Sequence, residues 1–192
     1  MKFPIELIQL TNAVLHAKIF KNDFLKIPAT LFYTIEITLA EIELENKKIN
    51  TSLHLDFIRF NIYKLQDLEN CIFEFPINPS SGFIEGSVYL FDAHNPVDVR
   101  KIEFSTIKNG TIEATIYFDI DFEYENTGYS KLNDCELKLD LQFGELSIDT
   151  EIISAENFDE KTANEIVSAF SDLINYEKPI LQDKQIIFKN NL

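Results

Sequence analysis

The sequence predicts an α+β fold that is mainly antiparallel β sheet, a sandwich or a strongly curved sheet, with one C-terminal helix and a closing strand. Three observations predict it. Apolar and polar residues alternate with period two along most of the chain, short polar turn clusters interrupt that alternation, and only one segment carries a capped apolar stripe at helical spacing. A length of 192 residues with 45% hydrophobic content predicts a single domain over 1–192 with a sizeable core. Seventeen Phe against five Gly point to long, well-filled elements rather than a loop-rich scaffold.

The first clear strand alternates Tyr33, Ile35, Ile37 and Leu39 with Thr34, Glu36 and Thr38. The next, LHLDFIRFNIY (53–63), runs Leu53, Leu55, Phe57 and then changes phase to Ile58, Phe60 and Ile62. Turns are expected at 45–48, at PINPSSG (76–82), at DAHNP (92–96), at Asn109-Gly110 and at NTGYSKLND (126–134). Patterning favours a three-residue loop at Asn109-Gly110, with Gly110 as the bulge residue, Thr106 opposite Ile112, Phe104 opposite Ala114 and Ile102 opposite Ile116. A two-residue loop pairing Ile107 with Ile112 would place Phe104 and Ile102 opposite Thr115 and Tyr117, mixing the faces.

The strand that follows reads YFDIDFEYE (117–125). In an extended chain Asp119, Asp121, Glu123 and Glu125 share one face, a ladder of carboxylates, while Phe118, Ile120, Phe122 and Tyr124 share the other. Substituting such outward positions is expected to leave the fold intact. CELKLDLQF (135–143) points Cys135, Leu137, Leu139, Leu141 and Phe143 inward, and the switch to even positions at Leu146 and Ile148 predicts a bulge at Gly144–Glu145. Thr162 with Glu165 reads as a capping box opening a helix with the stripe Ala163, Ile166, Val167, Phe170 and Ile174, stopped by Lys178-Pro179. KQIIFK (184–189) is the closing strand that returns to the sheet.

Charge is uneven. Acidic and basic residues cancel in 1–68 and in 161–192, so the whole net charge of −15 falls in 69–160, where 20 Asp+Glu face 5 Lys+Arg. Such a surface repels nucleic acid and anionic membrane and attracts basic proteins. The expected docking residues are therefore Glu113, Tyr117, Asp119, Asp121, Glu123 and Glu125, with long-range steering followed by packing around tyrosine.

Catalytic signatures, dinucleotide-binding turns and zinc spacings are missing from the sequence, so no catalytic residue, cofactor or metal site is assigned. The Asp92, His94, Asp98 group in DAHNPVD reads as a turn rather than a metal site, and His16 and His54 as strand residues. Cys71 and Cys135 are expected to stay reduced, and no apolar run reaches membrane-spanning length, which together suggest a cytoplasmic protein.

The run GSVYLFDAHNPVDVRKIEFSTIKNGTIEATIYFDIDFEYENTGY (86–129) resembles the central strands of small bacterial immunity proteins from polymorphic toxin and contact-dependent inhibition systems. The resemblance implies a cytoplasmic antidote that binds a cognate, often basic, toxin domain; it carries no catalytic residues. A DNA-mimic inhibitor or acidic subunit of a larger assembly is the alternative, and a metal-assisted enzyme the third.

Overall fold

Strands that are apolar on one side can bury that side by curling their sheet until its edges meet. The computed structural model describes all residues except 45, 91–92, 173–175, 183–184 and 192. In chain order the strands are β1 (Leu10–Asn22), β2 (Ile27–Leu39), β3 (Ile42–Leu44), β4 (Lys47–Ile49), β5 (Ser52–Ile58), β6 (Ile72–Glu74), β7 (Glu85–Leu90), β8 (Ala93–Lys108), β9 (Thr111–Ile120), β10 (Leu132–Ile148), β11 (Ile180–Gln182) and β12 (Gln185–Phe188). One α-helix, α1 (Glu160–Ser168), lies between β10 and β11.

Seven strands in the order β1-β2-β5-β7-β8-β9-β10 form a ring, closed where β10 pairs with β1. This corrects the expectation of a sandwich or an open curved sheet. Each consecutive pair in the order is antiparallel, and with an odd number of strands the first and last must run the same way, so the closing pair is parallel, with Val14 opposite Gln142 and Ile19 opposite Ile148. On its other edge β10 leaves β9 after Gln142 and is joined by β12 at Leu146–Ile148. The closing strand therefore returns to the sheet as expected; Lys184, its anticipated first residue, lies outside the described residues.

The interior is filled by alternate side chains. Leu15 and Ile19 of β1, Ile35 and Ile37 of β2, Leu53 and Leu55 of β5, Ile102 and Phe104 of β8, the whole apolar side of β9 from Ile112 to Ile120, and Leu139, Leu141 and Leu146 of β10 are all buried. Cys135 is buried, Cys71 half-buried, and both thiols are free.

Seven register shifts among the described residues let strands this long coil. The phase change after Phe57 is one: Tyr33 faces Ile58 but Ile35 faces Leu55, so β5 holds an extra residue, with Phe57 at φ 57° and Leu55 and Ile58 both inward. The anticipated bulge at Gly144–Glu145 is another, since Leu15 faces Phe143 but Ala17 faces Leu146. The Asn109-Gly110 turn is a correction. Ile107 pairs with Ile112 across a two-residue loop, with φ of 52° at Asn109 and 77° at Gly110 as a type I′ turn requires. Phe104 still faces Ala114 and Ile102 still faces Ile116, because the extra residue lies at Ser105–Thr106 instead. The 69–71 segment holds it there: Asn70 N donates to Ser105 O (3.1 Å), Phe104 N to Cys71 O (2.9 Å) and Ile107 N to Glu69 Oε1 (2.7 Å).

The helix is shorter and begins earlier than its sequence pattern suggests. Its cap is Asp159, whose Oδ1 accepts from Lys161 N (3.0 Å) and Thr162 N (3.2 Å), while the Thr162 hydroxyl donates to Oδ2. Those bonds occupy Thr162 inside the first turn, so it does not open a capping box. The helix ends at Ser168, ten residues before Lys178. Ala163 and Val167 are buried, and Ile174 lies outside the described residues.

The Gly144 bulge brings β10 backbone against β1. A Cβ there would lie 2.5 Å from His16 Nδ1 and 2.7 Å from Val14 Cγ1, and Glu145 N donates to that same Nδ1 (3.3 Å). Gly144→Ala is expected to destabilise the fold by about 1–3 kcal/mol through overpacking at the closing seam. Urea denaturation checks this, and an unchanged midpoint would mean the seam opens freely.

Candidate functional site

The β8, β9 and β10 strands expose polar side chains wherever their apolar residues turn inward, and register decides which of these meet. Across the three strands Lys101 faces Tyr117, which faces Glu136; Glu103 faces Thr115, which faces Lys138. The Tyr117 hydroxyl donates to Glu103 Oε2 (3.1 Å), Lys101 Nζ donates to Glu103 Oε1 (2.7 Å), and that ammonium lies 4.0 Å from the Tyr117 ring centroid. The Lys101 hydrogen bond holds the Glu103 carboxyl below its ordinary value, and the same bond raises the Lys101 ammonium. Tyr117 is pushed up, first by desolvation and then by its bond to Glu103.

Like charges also meet. Glu113 faces Asp140, Asp98 faces Asp119, and on the neighbouring pair of strands Asp56 faces Glu85. Directly opposed like charges destabilise a sheet. Lys138 relieves Glu113 (3.2 Å) and Lys131 relieves Asp98 (3.6 Å), while Asp56 and Glu85 form no ion pair among the described residues.

The carboxylate ladder is a correction. β9 ends at Ile120, so Asp119, Asp121, Glu123 and Glu125 do not line one strand face. Asp119 is nearly buried, its side chain 10% exposed. Its Oδ1 takes Arg100 Nη1 at 2.5 Å and the Asp134 backbone N–H at 2.8 Å, and Arg100 Nη2 reaches Asp134 Oδ1 at 3.2 Å. Asp121 caps a turn, accepting from Glu123 N and Tyr124 N (both 3.0 Å). Glu123 accepts from Lys131 N (3.4 Å). Glu125 is exposed, and Tyr124, expected on the apolar face, is 68% exposed because the turn carries it outward.

Of the expected docking residues, Glu113 and Tyr117 therefore share the sheet face, Glu123 and Glu125 lie in the turn beyond it, and Asp119 and Asp121 hold the fold. Glu103, Glu136 and Asp140 join Glu113 and Tyr117 on the face. Their outward parity is visible in the sequence, but their convergence is not.

DAHNP is not the turn it resembles: His94 to Pro96 lie within β8, with Pro96 O accepting from Asp121 N (2.9 Å), and Asp92 lies outside the described residues. Asn95, fully buried, ties its amide to Val88 O, Leu90 O and Ala93 O (3.0–3.3 Å). Among the described residues no three His, Cys, Asp or Glu side chains form a metal-holding group. No helix is long and apolar enough to cross a membrane. No protein-family model matches the chain, and neither a curated protein nor a solved structure matches it.

Two outcomes follow from this geometry. Asp119→Ala leaves the Arg100 guanidinium without its nearer partner and the bulge N–H of Asp134 unpaired. The expected loss is about 2–3 kcal/mol, discounted for the partial exposure of Arg100, whereas Glu125→Ser should stay within about 0.5 kcal/mol. Equal denaturation midpoints for the two variants would refute the distinction. Glu103, with its folded pKa lowered, contributes stability that is present above its ordinary value and lost as pH falls through the lowered one. Carboxyl NMR should show Glu103 titrating below 4.5 and moving back toward it in Lys101→Met.

Proposed function

We propose that this protein is a non-enzymatic binding protein: a cytoplasmic immunity protein that captures a basic toxin domain on the outer face of β8, β9 and β10. The observation that carries this is the opposition of like charges across strand pairs, Glu113 with Asp140 above all, in the block that holds the entire net charge of −15. A sheet face selected only for solubility alternates signs across its strands, because opposite charges stabilise each pair and like charges cost it. Lys138 offsets part of that cost at Glu113 (3.2 Å), and a partner's lysines and arginines relieve the remainder on binding.

Tyr117 supplies a contact that is more than charge. It is a half-buried ring held by Glu103 and Lys101, a rigid amphipathic anchor opposite Glu136, with the Glu113–Asp140 pair four residues away along β9. Glu123 and Glu125 extend the negative field into the adjoining turn. The partner class, a toxin domain, comes from the resemblance of residues 86–129 to immunity proteins.

The test is stopped-flow association with the purified toxin domain encoded beside this gene, at two salt concentrations. The triple variant Glu113→Gln, Glu136→Gln, Asp140→Asn is expected to associate roughly tenfold more slowly at low salt with a flatter salt dependence. It should also gain about 0.2–1 kcal/mol of stability from the relieved repulsion. A wild-type rate and salt slope in the variant would leave these acids as a solvated face and remove the proposal.

A further inference from the structure

On the side of the ring away from the acidic face, aromatic side chains lie outside the barrel. Ile19 and Tyr33 point inward, so their neighbours Phe20 and Phe32 point outward from β1 and β2, and the β5 bulge turns Phe57 out beside them. The three rings pack on one another, with centroids 5.4 Å apart for Phe32 and Phe57, 5.5 Å for Phe20 and Phe57, and 6.3 Å for Phe20 and Phe32. Arg59 lies 5.1 Å from the Phe32 centroid and Lys18 5.4 Å from that of Phe20. Just beyond Phe20, the tip of the β1–β2 hairpin carries Phe24 and Leu25, 92% and 60% exposed.

Single exposed apolar residues are ordinary, but a contiguous aromatic patch marks an interface. Aromatic residues and arginine are also the types that interfaces concentrate. Phe57 adds an independent observation. It stands at φ 57°, where bulky side chains are rarely found, and is still 39% exposed. Backbone strain of this kind collects at functional sites, and here it delivers a ring to the surface rather than to the core.

Charge decides the occupant. Each copy of the chain carries −15, all of it from 69–160, whereas acidic and basic residues cancel in 1–68, to which the whole patch belongs. Lys18 and Lys21 are already met by Asp149 (3.8 Å) and Asp23 (2.8 Å), so the patch offers little net charge to an anionic partner. In the ring, β2 stands three strands from both β8 and β9, as far as seven strands allow. Two copies joined through this patch therefore turn their acidic faces away from each other, the arrangement in which their repulsion is least. A two-fold interface sets the same patch against itself, and an apolar centre rimmed by both signs is complementary to itself. We propose that a second copy of this chain docks here, forming a symmetric dimer through Phe20, Phe24, Leu25 and Phe57. These side chains bury on the order of a few hundred Å² per copy, below the roughly 800 Å² of a standard interface, so the dimer is weak and reversible. It leaves both acidic faces free and is independent of the function proposed for them.

Sedimentation velocity of the purified full chain, from about 10 μM to about 1 mM and at low and high salt, reads the association. The weight-average mass is expected to climb from 22.3 kDa toward twice that value. More salt should tighten the dimer, because screening removes repulsion between two copies of −15. Phe24→Ser, at a position too exposed to matter for folding, and Phe57→Asn, which tolerates the left-handed backbone, should each weaken association roughly tenfold. A parallel run adds phosphatidylserine vesicles. A protein that stays monomeric throughout the range overturns the proposal, and its co-sedimentation with the vesicles would assign the patch to a lipid surface instead. Association that weakens with salt also overturns it, since that would seat the acidic face of one copy on the cations of the next. Wild-type affinity in both variants does the same.

Discussion

The Asp119 carboxylate is the point from which the closed half of this barrel is organised. Both strands that flank β9 carry an extra residue beside it: Arg100 on β8, between Val99 and Lys101, and the Asn133–Asp134 bulge on β10, with Asp134 at φ 55°. An extra residue coils its strand and frees an N–H from the ladder. Asp119 takes that N–H from Asp134 and the guanidinium from Arg100, so one group satisfies both distortions at once. The added coil is what allows long strands to bend round until β10 meets β1.

The same arrangement sorts the acidic residues into two populations. Those that meet a bulge or a turn, Asp119 and Asp121, are consumed by backbone N–H groups and by Arg100. Those on straight ladder, Glu113, Glu136 and Asp140, point outward, with Tyr117 opposite Glu136, and among the described ion pairs Lys138 meets only Glu113 of the three. The acidic surface and a stable barrel are compatible in part because Asp119, which faces Asp98, is paired internally with Arg100.

A parallel logic holds on the other side of the ring. The β5 bulge turns Phe57 outward against Phe20 (5.5 Å between centroids) and Phe32 (5.4 Å), and the Arg59 cation rests on Phe32. The aromatic cluster thus fixes a guanidinium on the outer face of β2, where Arg59 also donates to Thr30.

Side-chain alternation belongs to a single strand, so the sequence by itself determined the strands around 33–39, 53–58, 102–120 and 135–148, the buried face of β9 and β10, the bulge at Gly144–Glu145 and the return of the last strand. Even the register far from the Asn109-Gly110 turn was legible, because Ile102, Phe104, Ala114 and Ile116 must all face the core. Where the extra residue went was not, since its place at Ser105–Thr106 is set by Glu69, Asn70 and Cys71, a segment more than thirty residues away in the chain. The fate of the YFDIDFEYE carboxylates was hidden for the same reason: Arg100 and Asp134 reach Asp119 from neighbouring strands. Closure into a ring, the opposition of Glu113 to Asp140 and the seating of Arg59 on Phe32 are relations between strands. Only the tertiary structure decides them, because period-two patterning specifies which face a residue joins and carries no information about which residue it will meet there.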